Sequence, residues 1–377
     1  MKGSTMNVKF GDVVKEVKSN VDRANNPYEF YVAGDHMDSE DFRIHRHGCF
    51  ATDDVGPAFV RIFHPGQVLY GSRRTYLKKV CVADFDGICA NTTFVLETKD
   101  ENVLIQRLLP FLMLSNGFTE WSIKHSKGST NPYVLFSDLA GYEFDLPPMD
   151  EQKKLAELLW AANELKESYK KAITATDEML KAKFREMFGD AEFTTIDSVC
   201  EILNGYPFKS KEYVSSGVRI IRITNVQKGY IEDLTPAFYP LERSCEFNKF
   251  LLRKDDLLMS LTGNVGRVGL LPESMLPSAL NQRVACLRIK DDSIIDKYFL
   301  YSVLNHGEFE RNCIDASNGS AQKNASTEWL KKYAIPLPPI ALQREFVAIA
   351  DKAESAKANL KKSIASLDQV MKGLINQ

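Results

Sequence analysis

Several short stretches carry side chains of the types that bind metal ions in nucleases. Asp86 followed by Glu97-x-Lys99 has the acidic spacing that can hold a magnesium ion. The same short pattern recurs as Glu16-x-Lys18 and as Glu151-x-Lys153, so chance explains it. Glu97 also ends a strand-like run, TTFVLE, where an exposed acidic residue is ordinary. We therefore predict no nuclease centre.

Two other stretches resemble parts of nucleotide-binding or methyl-transferring sites. Asn131-Pro132-Tyr133 is one proline short of the motif that holds a flipped base, and its counterpart in the repeat described below is Gln322-Lys323-Asn324. Gly263-Asn264-Val265-Gly266-Arg267 lacks the Lys-Ser/Thr pair that follows in a phosphate-binding loop. We interpret it as a turn and predict no catalytic residue in this chain.

Histidine and cysteine side chains do not form a recognisable ligand set. His45-Arg46-His47 with Cys49 has no distant fourth ligand, so we favour a solvated loop over a metal site. The cysteines lie at positions 49, 81, 89, 200, 245, 286 and 313 without a CxxC pair, which argues against zinc and against a disulfide framework. The remaining histidines, at 36, 64, 125 and 306, pair with no nucleophile. We predict that no metal is bound.

Composition limits the classes of protein that remain. A chain of 377 residues with 44% hydrophobic residues suffices for two ordinary cores. We expect a cytoplasmic protein, because no apolar run of about eighteen residues occurs and the first residues are polar. The formal charge of -2 provides no overall basic field. Any contact with nucleic acid must therefore depend on local patches or on partners.

The second half of the chain repeats the first. Gly128-Ser129 and Pro147-Pro148 return as Gly319-Ser320 and Pro338-Pro339, at a constant offset of 191 residues. The register continues through the segments that follow, where Gln152, Leu155, Leu158, Leu165, Tyr169 and Ile173 fall on Gln343, Phe346, Ile349, Ala356, Leu360 and Ile364. A gapless register of this length indicates a duplicated unit.

Each repeat combines a mixed domain with a long helix. Tyr133–Phe136 and Val218–Ile223 have the composition of strands, and Gly205–Phe208 that of a turn. Each diproline forces extended backbone and then permits a helix to begin. We predict an α+β fold with mixed domain 1 at 1–148, a central spacer helix at 149–188, mixed domain 2 at 189–338 and a C-terminal spacer helix at 339–377.

The two helices are predicted to pair with each other. The segment from Asp150 to Phe188 contains no proline or glycine, and a helix of about forty residues is about 60 Å long. Apolar positions recur at steps of three and four, which predicts a helix-pairing seam of Leu155, Leu158, Ala162, Leu165, Tyr169 and Ile173 with Phe346, Ile349, Ala353, Ala356, Leu360 and Ile364. Because the second helix must run back along the first, we expect an antiparallel coiled coil and a pseudo-two-fold relation between the domains. A helical hairpin used only for dimerisation is the alternative.

Two diverged domains related by a two-fold axis suit the reading of two half-sites on a duplex. The chain resembles a known family, the specificity subunits of type I restriction-modification systems. The resemblance extends over essentially the whole chain and is most specific at residues 63–97, 202–213 with 221–226, 257–271 and 279–289, and at the two LPP helix starts. Domain 1 departs from the pattern, because it lacks the GxPFKS turn of domain 2 and has Asn25-Asn26-Pro27-Tyr28 and Gly34-Asp35-His36 in that region.

The resemblance implies a non-catalytic DNA-reading scaffold. Each domain would read half of a split double-stranded DNA target, and the helices would set the spacing. Methyltransferase subunits would dock on the scaffold and restriction-translocase subunits would join them, so that S-adenosylmethionine, ATP and magnesium are expected on those partners and none in this chain. Exposed helix charges such as Lys154, Glu157, Lys171 and Lys361 are our candidates for the docking side.

Candidate DNA contacts follow from residue type and place. Arginine, asparagine and glutamine can read bases with two-pronged hydrogen bonds, while lysine and hydroxyl side chains serve phosphates. In domain 1 the candidates are Ser72, Arg73, Arg74, Tyr76, Lys78 and Lys79. In domain 2 they are Lys209, Ser210, Thr262, Asn264, Arg267, Asn281, Gln282, Arg283, Gln322 and Lys323. For any one of them a solvated surface position is the competing interpretation.

Two other functions stay open on sequence alone. The chain could be a self-contained modification enzyme with an unrecognised site, or a coiled-coil scaffold that carries two protein-binding domains. Because its net charge is close to zero, we expect the isolated chain to bind DNA weakly and its assembled complex to bind tightly.

Overall fold

A computed structural model describes residues 5–305, 307–317 and 325–376. The chain forms two compact units. Unit 1 comprises Met1–Lys171 with Leu360–Gln377, and unit 2 comprises Ala172–Asn359. Each unit therefore contains a mixed α+β domain and a part of both long helices.

Unit 1 begins with short strands and ends in a long helix. Its elements are β1 (Met6–Lys9), α1 (Phe10–Val13), β2 (Val14–Glu16), β3 (Phe30–Val32), β4 (Gly48–Cys49), β5 (Phe59–Phe63), β6 (Val68–Gly71), β7 (Val80–Val82), β8 (Gly87–Ala90), β9 (Thr93–Thr98), α2 (Leu109–Leu114), α3 (Asn116–Lys124), α4 (Phe136–Ala140), β10 (Glu143–Leu146) and the first part of α5 (Met149–Phe188). A 3-10 turn, Thr75–Leu77, lies between β6 and β7.

Two four-stranded sheets form the domain of unit 1. One has the antiparallel order β2-β9-β6-β7, and the other has the order β4-β3-β8-β5 with β3 and β8 parallel. A separate pair, β1 with β10, joins the two ends of the domain. The core contains Phe10, Leu96, Phe118 and Leu139 and continues onto the long helix through Leu159. Removal of this apolar surface from water provides the main driving force for folding, at about 25 cal/mol per Å².

Unit 2 repeats this plan. Its elements are β11 (Phe193–Thr195), α6 (Ile196–Val199), β12 (Cys200–Asn204), β13 (Val218–Ile221), β14 (Phe238–Tyr239), β15 (Leu257–Ser260), β16 (Val268–Leu270), β17 (Ser278–Leu280), β18 (Val284–Ile289), α7 (Lys297–Asn305), α8 (Gly307–Ser317), α9 (Thr327–Lys332), β19 (Ala334–Pro336) and α10 (Ile340–Ile375), whose last part belongs to unit 1.

The sheets of unit 2 have the topology of those in unit 1. The antiparallel order β12-β18-β15-β16 corresponds to β2-β9-β6-β7, and β14-β13-β17 corresponds to β4-β3-β8. The parallel pair of β13 with β17 matches that of β3 with β8, and β11 pairs with β19 as β1 pairs with β10. Among the described residues, β5 is the one strand without a counterpart in unit 2. The predicted duplication of an α+β unit is confirmed.

One predicted strand is wrong. Residues 133–136 were expected to be extended, but Tyr133 forms only isolated bridges and Phe136 begins α4. The Asp138 carboxylate accepts a hydrogen bond from the backbone N–H of Leu135 at 3.1 Å. This cap stabilises a helix start in a stretch whose aromatic and β-branched composition favours a strand.

The two long helices pair in an antiparallel manner, as predicted. In unit 2, Asp177 of α5 binds Lys357 of α10 at 2.5 Å, and further along α5 the Phe188 ring packs against Phe346, with the ring centroids 5.4 Å apart. The residue number therefore falls along α10 as it rises along α5. In unit 1, Lys166 Nζ contacts the Asp368 carboxylate at 2.8 Å.

The predicted pairing seam is partly wrong. Ala162, Phe346 and Ala353 are buried, and Leu155, Tyr169, Ile173, Ile349, Leu360 and Ile364 are half-buried. Leu158 is 52% exposed and Leu165 is 42% exposed, and Ala356 is exposed as well. The buried face of α5 in unit 1 is instead Gln152, Ala156, Leu159, Asn163, Lys166 and Glu167. Four of these six residues are polar, so a search for apolar steps selected a neighbouring stripe of the helix.

None of the described helices combines the length and the apolar character needed to cross a lipid bilayer.

Candidate nucleic-acid interface

The candidate interface of unit 2 lies where two parallel strands end. Because β13 and β17 are parallel, Ile221 and Leu280 reach the same edge of their sheet. The backbone N–H of Asn281 donates to the Ile221 carbonyl at 3.1 Å. Arg222 on one side, and Gln282 with Arg283 on the other, therefore leave the sheet next to each other.

A further loop joins this edge. The backbone N–H of Leu261 donates to the Arg283 carbonyl at 3.0 Å. Gly263, which has a φ of +73°, lies close enough to the other chain segment that a Cβ built on it would be 3.7 Å from Ile223 Cδ1. We name residues 222–225, 261–264 and 281–283 the unit 2 loop edge. Three segments distant in sequence thus present their side chains together.

Three of the predicted DNA-contacting residues are exposed on the unit 2 loop edge, namely Asn264, Gln282 and Arg283. Asn281 is only 9% exposed, and its side-chain oxygen accepts a hydrogen bond from the Arg283 N–H at 3.2 Å. The amide of Asn281 therefore shapes the turn in this structure, and its contact with DNA stays a prediction. Thr262 is half-buried, and its Oγ1 has no hydrogen-bond partner among the described residues.

Arg267 is also engaged within the protein. Its guanidinium donates to Gln227 Oε1 at 2.9 Å and lies 3.9 Å from the Glu310 carboxylate. The side chain is half-buried and attaches the loop to Gln227, and its contact with DNA stays a prediction. An arginine directly after a Gly-rich turn looks exposed in sequence, but only the fold shows that Gln227 and Glu310 face it.

The other predicted residues of domain 2 are not brought to this edge. Lys209 and Ser210 are exposed at the 3-10 turn Ser210–Glu212. The Glu212 carboxylate accepts from the Tyr239 hydroxyl, and Tyr239 pairs with Val218 at the start of β13. The turn therefore lies toward the end of β13 away from the loop edge. Gln322 and Lys323 lie outside the described residues.

Unit 1 contains the same joint at equivalent positions. The Ser72 N–H donates to the Thr92 carbonyl at 3.1 Å, and the Val134 N–H donates to the Ser72 carbonyl at 2.9 Å. In unit 2 the Leu261 N–H donates to the Arg283 carbonyl, and the Ala325 N–H donates to the Leu261 carbonyl, each at 3.0 Å. We name residues 72–79, 91–92 and 132–134 the unit 1 loop edge.

Arg73, Arg74 and Tyr76 are exposed on the unit 1 loop edge. Arg74 has a φ of +51°, and its backbone N–H donates to the Pro132 carbonyl at 2.6 Å. This left-handed conformation is unusual for a residue with a side chain and is held by the surrounding loop. The predicted basic and aromatic cluster is therefore present at a fixed place.

Three other predicted residues of domain 1 are committed to the fold. Ser72 is 5% exposed, and its hydroxyl donates to the Thr92 carbonyl at 2.7 Å, so the hydroxyl is used within the loop and its contact with DNA stays a prediction. Lys78 Nζ lies 3.0 Å from the Glu40 carboxylate. Lys79 Nζ donates to the Gly34 carbonyl. Both lysines therefore hold the loop in this structure, and their contact with phosphates stays a prediction.

Glu40 is a residue that sequence reasoning missed. Burial opposes its ionisation, but the ammonium groups of Lys78 and Lys372 hold the pKa of its carboxyl below the ordinary value. Its backbone N–H also donates to the Lys78 carbonyl at 3.0 Å. Glu40 thus connects α10, through Lys372 at 3.5 Å, with the unit 1 loop edge. No local signal marks it, because both partners are distant in sequence.

The histidines of the His45-Arg46-His47 stretch have separate environments. His45 Nε2 lies 3.2 Å from Asp41, and the Asp41 carboxylate also contacts Lys170 of α5 at 3.0 Å. The His47 ring instead packs on Phe30, with the ring centroids 4.2 Å apart. The oxygen atoms of Asp41 and Glu167 and the His45 nitrogen are close enough to hold a metal ion, but Lys170 already supplies the positive charge there, at 2.7 Å from Glu167.

The nuclease-like residues are likewise separated. The Glu97 carboxylate accepts from Gln67 at 2.7 Å, which with the Lys15 ammonium lowers its pKa despite some burial. Lys99 turns away and donates to the Gly11 carbonyl at 2.6 Å. All the cysteines are free, and burial raises the pKa of the Cys81, Cys89 and Cys200 thiols to about 12, so these stay protonated and unreactive.

A duplicated α+β domain that gathers polar and cationic loops at one sheet edge defines a subunit with two recognition domains. Both repeats match the family described as type I restriction modification DNA specificity domain, over residues 11–175 and 189–369. The chain belongs to this family. It is a specificity subunit of a type I restriction-modification system, with two DNA recognition domains and no catalytic function of its own.

Relatives of known class support this assignment. The type I restriction enzyme MjaVIII specificity subunit of Methanocaldococcus jannaschii is 26% identical over 71% of this chain and 67% of its own length. The EcoBI specificity subunit of Escherichia coli is 28% identical over 47% of this chain, a match that spans 34% of that subunit.

Solved structures show the same fold. A chain from a structure that describes complex assembly and conformational transition of the type I R-M system has a TM-score of 0.61 at 21% identity, over 99% of this chain and 97% of that one. The S subunit of the type I restriction-modification system of M. genitalium has a TM-score of 0.60 at 15% identity, over 99% of this chain and 95% of that one.

Proposed function

We propose that this chain reads a bipartite DNA target with one domain per half-site and scaffolds methyltransferase and restriction subunits. One observation gives the strongest support to the proposal that each domain reads one half-site. The same backbone joint occurs in both units but carries different side chains, Thr92 in unit 1 and Arg283 in unit 2 at its accepting carbonyl. Two domains with one geometry and different chemistry suit two different half-sites.

The exposed side chains on the two loop edges are of the chemical types that can read base edges. A guanidinium fork matches guanine, and a side-chain amide matches adenine. Arg73 and Arg74 would act in domain 1, and Asn264, Gln282 and Arg283 in domain 2. The recognition domains would comprise 1–148 and 189–338, and the helices at 149–188 and 339–377 would set the distance between half-sites.

The exposed face of α5 is the proposed docking face for the methyltransferase subunit. Leu158, Ala161 and Leu165 are exposed at steps of three and four on the part of α5 that belongs to unit 1. An exposed apolar stripe of this spacing is suited to packing against a helix of another protein. Lys154, Glu157 and Lys171 lie on the same helix and would add charged contacts at its sides. A further candidate, Lys361, is exposed on α10.

The chemistry of modification and cleavage would belong to the partners. S-adenosylmethionine, ATP and magnesium would bind there, and the complex would act in the cytoplasm, where its DNA substrate is. Because this chain has a formal charge of -2, cations of the partners would contribute much of the phosphate neutralisation. The isolated chain would then bind DNA weakly.

The experiment is co-expression of this chain with a methyltransferase partner, followed by mapping of methylated adenines by single-molecule sequencing. A split motif that changes in one half when residues 1–148 are exchanged, and in the other half when 189–338 are exchanged, would support the proposal. Unmodified DNA from a complex of verified composition would contradict it and favour a protein-binding scaffold. Methyl transfer by the chain alone, with labelled S-adenosylmethionine, would favour a self-contained enzyme.

A further inference from the structure

One leucine beside the unit 2 loop edge has almost no cover. Leu234 is 81% exposed, more than any other large apolar side chain in the described part of the chain. A single exposed leucine is ordinary on a protein surface and needs no explanation by itself. Leu234 differs from such residues because hydrogen bonds fix the chain on both sides of it.

Hydrogen bonds anchor both neighbours of Leu234. Asp233 accepts from the Arg219 guanidinium and, at 2.9 Å, from the Asn225 side-chain amide. Thr235 accepts from the Arg222 guanidinium through its carbonyl oxygen and, at 3.3 Å, through its hydroxyl. Two arginines and an asparagine that is 2% exposed therefore hold the loop on which Leu234 is mounted. Exposure of this side chain to water is unfavourable, because burial of a leucine side chain would stabilise the protein.

Two of the three anchors belong to the unit 2 loop edge. Arg222 and Asn225 are members of it, and the residue before Arg222 accepts a hydrogen bond from the N–H of Asn281. Leu234 thus lies between two residues, Asp233 and Thr235, that are bonded to Asn225 and Arg222 of this edge. An exposed apolar group on a loop that is bonded to this edge is suited to the one apolar feature of the major groove, the thymine 5-methyl group.

We propose that Leu234 is a further specificity-determining residue of domain 2, which contacts a thymine methyl group in the second half-site. This inference depends on the proposed function, because it requires domain 2 to read DNA at this edge. A half-site that is methylated on adenine contains a thymine in the opposite strand, so a partner for Leu234 is available in the target. The contact favours thymine over cytosine at that position, since cytosine lacks the methyl group.

The test is a double-mutant cycle on the complex assembled with the methyltransferase subunit. Binding to target DNA is measured for the wild-type chain and for Leu234→Ala, on duplexes in which each thymine of the second half-site is replaced by uracil in turn. We expect one uracil substitution to weaken wild-type binding about three- to tenfold. The same substitution should leave binding by the Leu234→Ala variant unchanged, and Leu234→Met should restore most of the affinity.

Matched variants separate the possible failures. Ile294→Ala removes another exposed side chain, 48% exposed, that adjoins Gln343 at the start of α10, and it should bind like the wild type. If Gln282→Ala and Arg283→Ala alter second-half recognition but no thymine shows coupling to Leu234, this inference is overturned and the proposed function stands. If Leu234→Ala, Gln282→Ala and Arg283→Ala all leave recognition unchanged, the proposed function itself fails for domain 2. A Leu234→Ala chain that no longer assembles would assign the residue to a protein contact instead.

Discussion

Gln152 and Gln343 make the same three hydrogen bonds in their respective units. The Gln152 side-chain amide donates to the carbonyls of Val103 and Pro147 at 2.8 and 2.9 Å, and its oxygen accepts from the Ile105 N–H at 3.2 Å. Gln343 donates to the carbonyls of Ile294 and Pro338 at 3.0 and 2.7 Å and accepts from the Asp296 N–H at 2.8 Å. Each glutamine thus joins a long helix to the preceding diproline and to the domain.

We predict that Gln152→Ala destabilises unit 1, and that Gln343→Ala destabilises unit 2, by about 2–3 kcal/mol each. Both side chains are fully buried, at 1% and 0% exposed, so truncation leaves buried backbone groups without partners. Urea denaturation measures the change in the free energy of unfolding. Gln369→Ala, an exposed glutamine on α10, should change it by less than about 0.5 kcal/mol. Equal stability of all three variants would show that these bonds do not hold the joint.

The sequence predicted that Gln152 and Gln343 are equivalent, but it did not predict which groups they bind. The constant offset of 191 residues aligned Gln152 with Gln343 and established the duplication. The length and direction of the long helices also followed, because the absence of proline and glycine and the position of the diprolines limit where a helix can begin and end. That the aligned glutamines are buried could not be predicted, since the carbonyls that they bind come from distant loops.

Base specificity should separate by domain. Arg73→Ala is expected to relax recognition in the first half-site only, and Arg283→Ala in the second only, each by about 1–3 kcal/mol at one base pair. The reason is that each arginine is exposed on the loop edge of a different unit. Competition binding of the assembled complex to single-base variants of the target measures the loss. An equal loss at every base pair would instead assign the arginine to a phosphate.

Lys78 should behave differently from Arg73. Because Lys78 pairs with Glu40, the variant Lys78→Ala is expected to lower the stability of unit 1 by about 1 kcal/mol and to leave the salt dependence of DNA binding unchanged. The slope of log affinity against log salt concentration tests this. A slope reduced by about one would mean that Lys78 leaves Glu40 and neutralises a phosphate in the complex. Glu40→Gln breaks the same ion pair from the other side and also removes the ion pair of Glu40 with Lys372.

The site was less predictable than the fold. Residue type and position in a loop selected Arg73, Gln282 and Arg283, which are exposed at the loop edges. The same criteria also selected Ser72 and Asn281, which are buried and shape the turns. Sequence position near a strand end does not reveal which side chain the turn points inward. That choice depends on acceptors such as the Thr92 carbonyl, which lie in another segment.

The attachment of residues 38–46 to α5 should weaken in acid. Burial opposes ionisation of Asp41, but the Arg43 N–H and the Lys170 ammonium hold the pKa of its carboxyl below the ordinary value. The stabilising contribution of Asp41 is therefore complete above the unfolded-state pKa of about 3.9 and is lost as pH falls through the lower folded-state pKa. We expect Asp41→Asn to cost about 1 kcal/mol at pH 7, a modest value because Lys170 is partly exposed.

The pH profile distinguishes this role from simple packing. The difference in unfolding free energy between the wild type and Asp41→Asn should vanish as pH falls well below 3.9, because the wild-type carboxyl is then also neutral. The pKa of Lys170 is raised, although burial opposes this, because Glu167 and Asp41 hold its ammonium. Its contribution should therefore persist up to about pH 10 and be lost only above that. A difference that is constant from pH 7 to pH 2 would assign Asp41 a role independent of charge.

Docking of the methyltransferase subunit should depend on Leu158 and Leu165 and not on Leu159. The first two are exposed, so Leu158→Ser with Leu165→Ser should leave the free energy of unfolding within about 0.5 kcal/mol of the wild type but abolish co-purification with the partner. Leu159 is fully buried in the core of unit 1, so Leu159→Ala should cost about 2–5 kcal/mol. Because that loss acts on folding, any Leu159→Ala chain that remains folded should still bind the partner. A doubly substituted chain that assembles normally would place the docking face elsewhere on the helices.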